Sequence, residues 1–219
     1  MKIFLTGDGS HSIHLPELNE TYHSIHGAIQ ESKHVFIEAG LKYWLSANKK
    51  TTTLKILEFG FGTGLNALLT AMECDIIGRN IAYHSLEKFP ITPELVNALN
   101  YGNRLQNNPL FSKLHSVAWN KEQRITANFS LKKIEVDFHD YGTDNYYNII
   151  YFDAFAPGKQ PELWTKIILQ RCYNFLAKDG VFITYSAKGQ LKRDLTELGF
   201  SVESLPGPPG KFEITRAIK

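Results

Sequence analysis

The chain has 219 residues, enough for one full hydrophobic core and short for two. Its 43% hydrophobic and 21% charged content fits a globular protein and excludes a disordered or fibrous one. A formal charge of +2 neither demands nor excludes a nucleic-acid partner, because a local basic face can sit within a near-neutral total. Cys74 and Cys172 stand far apart in no C-x-x-C pair, so neither a disulfide framework nor a cysteine zinc site is expected, and a reducing cytoplasm fits. Met1 to Ser10 lacks the character of a signal peptide, and no apolar run approaches membrane-spanning length.

In chain order, Lys2 to about Leu45 is polar and His-rich, with a helix expected from Gly27 to Trp44. From Leu54 onward strands alternate with helices, the pattern of a parallel sheet. Leu54–Phe59 is expected as a first buried strand, Gly60–Gly64 as a glycine-rich turn and Leu65–Glu73 as the helix after it. Ile81–Leu86 is a second strand, and a helix opens at Thr92 with Pro93 in its first turn. Gln123–Phe129 and Leu131–Phe138 are expected to pair as a hairpin whose second arm is the third main strand. Tyr147–Phe152 is a buried strand, Glu162–Leu176 a helix, Gly180–Tyr185 a strand, and Leu191–Leu198 a helix closed by Gly199. Two last strands, Ser201–Ser204 and Glu213–Ile218, flank a proline- and glycine-rich loop. The expectation is a doubly wound, Rossmann-like α/β fold with a mixed, mostly parallel sheet: an extension over 1–53 packed on a domain over 54–219.

Two segments carry the chemistry. Glu58-Phe59-Gly60-Phe61-Gly62-Thr63-Gly64 lies between a strand and a helix, where an open parallel sheet binds its ligand. The spacing is G-x-G-x-G with Leu65 following, so the dinucleotide fingerprint is not met. An acidic residue just before the glycines suits the cationic amino end of a methionine moiety and would repel a diphosphate. Glu87 ends the second strand, where a carboxylate accepts from ribose hydroxyls. Asp137 ends the third and would reach an adenine amino group, with Asp140 competing for that role. The second segment begins at Asp153, at the end of a central strand beside the glycine turn, where a transferred group must sit. Phe155 would wall a planar substrate, and Pro157 and Pro161 stiffen the loop. The histidines at 11, 14, 23, 26 and 34 lack the further ligands of a metal site, and none is expected.

Together these segments resemble the tRNA 5-methylaminomethyl-2-thiouridine methyltransferases: the methyltransferase half of the bifunctional MnmC enzyme and its stand-alone MnmD-type relatives. The resemblance runs from about Tyr22 to Arg216. It rests on Tyr22-His23-Ser24 through Gly27, Glu31-Ser32 and Val35-Phe36, on Glu58 through Asn66, and above all on Asp153-Ala154-Phe155-Ala156-Pro157 through Trp164. Tyr185 to Gly189, Arg193, and Pro206 to Lys211 add to it. After Lys211 the family pattern continues with Arg, Glu and Met, whereas this chain has Phe212, Glu213 and Ile214.

The resemblance implies S-adenosylmethionine as cofactor, held by Glu31, Glu58, Gly60, Gly62, Thr63, Gly64, Asn66, Glu87, Asp137 and Asp153. It implies the anticodon arm of tRNA as partner, met by Phe155, Pro157, Lys159, Lys188 and Lys211. The reaction would be N-methylation of the 5-aminomethyl group of the wobble uridine, with Asp153 as the catalytic residue that orients the amine and accepts its proton. The bifunctional relatives carry a flavin-dependent oxidoreductase after the methyltransferase; none fits after Ile218, so that activity is expected to be absent. Methyl- or aminopropyl-transfer to a small amine remains the neighbouring alternative, and a non-catalytic cofactor- or RNA-binding module the more distant one.

Overall fold

The computed structural model describes all 219 residues. The segment before residue 54 holds a small sheet as well as the expected helix. It begins as a small antiparallel sheet of β1 (Lys2–Leu5), β2 (His11–Leu15) and β3 (Glu20–Thr21), strands too short to stand out in the sequence. Asp8, in the first turn, accepts from the backbone amides of Ser10 and Gln30, both at 2.9 Å, and so ties this sheet to the start of the following helix. A carboxylate there also suits the free amides of a helix N-terminus. The helix runs without a break through Ala28–Ser32, Lys33–Lys42 and Tyr43–Ala47, with its middle part in π geometry.

The main sheet uses β4 (Thr53–Phe59), β5 (Asn80–Glu87), β6 (Glu122–Arg124), β7 (Phe129–Glu135), β8 (Tyr147–Phe152), β9 (Leu176–Thr184), β10 (Ser201–Pro206) and β11 (Glu213–Ile218). They lie in the order β10-β11-β9-β8-β4-β5-β7-β6. The five strands from β7 to β9 are parallel to one another; β11 runs against β9, and the edge strand β6 against β7. This is the doubly wound, mostly parallel architecture expected. The central strands are apolar on both faces because both are covered. Ile56, Tyr83 and Tyr151 belong to the core that also holds Phe36 and Leu41 of the long helix and Leu68 of the helix Leu65–Ile77. Leu57, Phe59 and Phe152 belong to the other, with Ile168 and Leu169 of the helix Lys166–Phe175 and Leu195 of the helix Gly189–Glu197.

Three expectations shift. The helix expected at Glu162–Leu176 is a 3-10 turn, Pro161–Trp164, an extended Thr165, and then the helix Lys166–Phe175. The Trp164 indole donates to the Phe155 carbonyl at 2.8 Å and its ring packs on Phe152, which holds the turn apart from the helix. Strand β9 starts at Leu176, four residues earlier than its apolar run. Between β5 and β6 lie the helices Pro93–Ala98, Tyr101–Arg104 and Asn108–Ser116, of which only the first was legible through Thr92 and Pro93. No helix is long and apolar enough to cross a membrane.

Strand order reverses between β4 and β8: the chain builds outward from β4 through β5 to β7, then returns to the other side. Phe59 pairs with Leu86 on one side and Phe152 on the other. Gly60 and Asp153 therefore leave the sheet side by side, where such a fold opens a crevice.

Candidate active site

The Asp153 amide donates to the Phe59 carbonyl at 3.0 Å, and the Gly60 amide to Leu86 at 3.0 Å, so the glycine turn and the Asp153 loop rise from one point. Gly60 has φ +98°, and a Cβ there would come within 2.9 Å of the Asp153 carbonyl oxygen, which only glycine avoids. Gly62 has φ +48° and lies under the ring of Tyr22, 3.0 Å from where a Cβ would stand.

A cavity of about 650 Å³ opens above these strand ends. Among the residues expected from the sequence, Glu31, Gly60, Gly62, Thr63, Asn66, Glu87, Asp137, Asp153, Phe155 and Lys211 line it. Glu58, Gly64, Pro157, Lys159 and Lys188 do not. Gly64 precedes the helix Leu65–Ile77 as its N-cap. Lys188 stands outside, its Nζ 3.7 Å from the position of a Cβ on Gly158.

Glu58 departs most from expectation. It is fully buried behind the cavity, where its carboxylate accepts from Ser85 Oγ at 2.5 Å and Asn66 Nδ2 at 3.1 Å. The same Asn66 Nδ2 donates to Asp153 Oδ2 at 2.8 Å. Glu58 thus reaches the cavity through Asn66, because its side chain lies on the face of the sheet, against Ser85 of β5 and Asn66 of the helix Leu65–Ile77, and not above the strand ends. Burial lifts its carboxyl to about 8. Burial, with Glu58 and Glu31 nearby, also pushes Asp153 well above the usual carboxylate range. Asn66 Oδ1 is buried and has no partner.

Glu87 ends β5 with both oxygens anchored: Gly62 donates to Oε2 at 2.9 Å and Phe89 to Oε1 at 2.8 Å. Each oxygen keeps a lone pair for a hydroxyl. Asp137 lies two residues beyond β7 and pairs with Lys88 Nζ at 2.7 Å and His139 Nδ1 at 2.8 Å. These donors hold it far below the usual carboxylate range. Its rival Asp140 is exposed and lies off the cavity. Glu31 accepts from the Ser24 amide at 2.7 Å and pairs with Lys211, whose Nζ lies 3.8 Å from the Tyr185 ring centre.

The wall has members the expected set omitted. Tyr22 meets Phe155 edge to face at 5.1 Å, Tyr185 donates to the Ala154 carbonyl at 2.8 Å, and His23 contacts Thr63 Oγ1 through Nε2 at 2.8 Å. Burial pushes His23 down to about 4, so it is neutral near pH 7. Tyr22 and His23 stand in a motif the sequence displays, but nothing in their spacing tells a cavity wall from a core. The other histidines disperse: His11 turns to Ala98 and His34 to Pro206.

The donor set fits S-adenosylmethionine. Acidic side chains outnumber cationic ones around the cavity by seven to two, and both lysines, Lys88 and Lys211, are already paired. That surplus suits a sulfonium and an ammonium and opposes a diphosphate. The anchored Glu87 suits a ribose, and the orphaned Asn66 oxygen can accept from an ammonium.

Comparison with known proteins agrees. The family model described as S-adenosyl-L-methionine-dependent methyltransferase matches residues 106–219. The bifunctional protein MnmC of tRNA 5-methylaminomethyl-2-thiouridine biosynthesis from Burkholderia vietnamiensis is 31% identical over 214 residues, covering 90% of this chain and 32% of the relative. Its counterpart from Cupriavidus metallidurans is 27% identical, covering 97% of this chain and 33% of the relative. The chain thus spans about a third of the length of the curated relatives it matches. The crystal structure of MNMC2 from Aquifex aeolicus superposes with a TM-score of 0.76 at 27% identity, over 99% of this chain and 69% of that one. Fold, site and family model converge: the chain belongs to the S-adenosyl-L-methionine-dependent methyltransferases.

Proposed function

We propose that the chain transfers the methyl group of S-adenosylmethionine to the amine of a 5-aminomethyl group on the wobble uridine of tRNA. The observation that carries this reading is Asp153: a half-buried carboxylate at the switch point, facing an acidic cavity, with its affinity for a proton raised. When bound, the cofactor supplies an electrophilic methyl group, and the protein's task is to present a neutral amine to it. An alkylamine is mostly protonated near pH 7, so an acceptor must hold its proton. Asp153 is that acceptor, and Asn66 fixes the orientation of its carboxylate. Glu87 holds the ribose and Asp137 the adenine side, while Glu31 faces the cationic end of the cofactor. Tyr22 and Phe155 form an aromatic wall against which a base can lie.

Lys159 and Lys188 form no salt bridge, which leaves them available for RNA phosphates. In this reading residues 1–53 are an extension packed on a methyltransferase unit over 54–219, and the work is done in the cytoplasm. The acidic lining also favours a second reading, methyl transfer to a polyamine. Methyl-labelled cofactor offered with tRNA carrying 5-aminomethyluridine, and separately with spermidine, separates the two. Label in the tRNA alone supports the proposal; label in spermidine alone overturns it.

A further inference from the structure

Strand β7 breaks its own pattern at Lys133. Alternate side chains of a strand share a face, so Lys133 lies on the side of Phe129 and Leu131, both buried in the core. It is only 1% exposed. Its ammonium donates to the His115 carbonyl at 2.7 Å and lies 4.9 Å from the Trp119 ring centre and 5.4 Å from that of Phe61. No carboxylate pairs with it, and the His115 carbonyl is the one protein oxygen that accepts from it. Burial pushes its pKa down to about 8, so the aromatic faces offset only part of the cost of holding the charge there.

Lys133, His115, Trp119 and Phe61 all line a second cavity, of about 580 Å³, which meets the first only at Phe61 and Gly62. Its electrostatics are the reverse of the first cavity's. Asp and Glu are absent from the lining, and His115, lowered to about 4 by burial, is neutral near pH 7. Lys133 is therefore its one charged side chain. Aromatic and apolar walls with a single buried polar group suit a small flat ligand, which the walls hold and the polar group orients. An anion that meets the two remaining N–H donors restores what the ammonium lost on burial. A second negative charge would find no partner, which disfavours a phosphate monoester and leaves a carboxylate.

We propose that this cavity is a second ligand site, taking a flat aromatic molecule with one carboxylate. The carboxylate meets Lys133, and the ring lies among Phe61, Phe111 and Trp119. The site adjoins the cofactor turn: His115 Nε2 lies 3.1 Å from the Thr63 carbonyl oxygen, and the Gly62 amide holds Glu87. An occupant bears on that turn without filling the cofactor's place, so the two ligands bind together. The inference does not depend on which amine receives the methyl group.

The test titrates 2-naphthoate, and separately its uncharged counterpart 2-naphthamide, into the wild type and Lys133→Met by calorimetry at pH 7. The wild type should bind the acid at least about tenfold more tightly than the amide. In Lys133→Met that preference should vanish, with urea unfolding showing a variant at least as stable as the wild type, since an unpaired buried charge is gone. Saturating S-adenosylhomocysteine should leave the acid bound, with any change in its affinity levelling off. Equal binding of acid and amide by the wild type, or binding of neither, overturns the inference whatever the variant does. Preference for the acid that survives in folded Lys133→Met, or affinity that falls without limit as S-adenosylhomocysteine rises, overturns it as well.

Discussion

Replacing Glu58 by Gln should make the protein more stable, and only at higher pH. Glu58 is fully buried with a carboxyl raised from 4.5 to about 8. Between those values the unfolded chain has released this proton and the folded one retains it, so stability falls as pH rises through the window and levels off above it. At about 1.4 kcal/mol per unit, the full span corresponds to roughly 3–5 kcal/mol. His23 and His115, both lowered to about 4 by burial, act the other way: their contribution grows between about pH 4 and 6.5. Subtracting the wild-type from the variant stability removes the histidine contribution. Gln keeps the local bonds, since its carbonyl can accept from Asn66 and the Ser85 hydroxyl can turn to accept from its amide. Urea unfolding of both proteins at pH 5 and at pH 8 should give similar stabilities at the lower pH and a variant more stable by several kcal/mol at the higher. A difference that does not change with pH would refute the buried, proton-holding Glu58.

Asp153→Ala should lower methyl transfer on the order of a hundredfold or more, with the cofactor dissociation constant much less affected, as read by initial rates and calorimetry on one preparation. Glu87→Ala should show the reverse, weaker cofactor binding with the rate at saturating cofactor largely kept. Gly62→Val should reduce cofactor affinity at least about tenfold in the same calorimetry, because a β-branched residue resists the positive φ and its Cβ would press the Tyr22 ring. Lys188→Ala should raise the apparent KM for tRNA and flatten its dependence on salt, seen by repeating the assay across ionic strengths.

The sheet was legible because its strands are buried on both faces and read as apolar runs, as in Leu54–Phe59 and Tyr147–Phe152. Glycine and proline punctuation marked the turns. The N-terminal sheet escaped because β1 to β3 are only two to five residues long. The helix Asn108–Ser116 escaped because only Leu110, Phe111 and Leu114 of its nine residues are buried. In the site, the positions read from strand ends, Glu87 and Asp153, do face the cavity. Glu58 was read as facing it too, since the last strand residues look alike in sequence; only the sheet's pleat decides which side chain points up and which inward. Lys211 was read as reaching substrate, and its pairing with Glu31 spans 180 positions, a distance no local pattern reports.

The central claim is most directly tested by digesting tRNA to nucleosides after incubation with this protein and S-adenosylmethionine, and weighing them. The account predicts that 5-aminomethyluridine at the wobble position becomes heavier by one methylene, and that Asp153→Ala leaves it unchanged over the same time. Methylation confined to any other nucleoside, or none in tRNA that carries the amine, would contradict it.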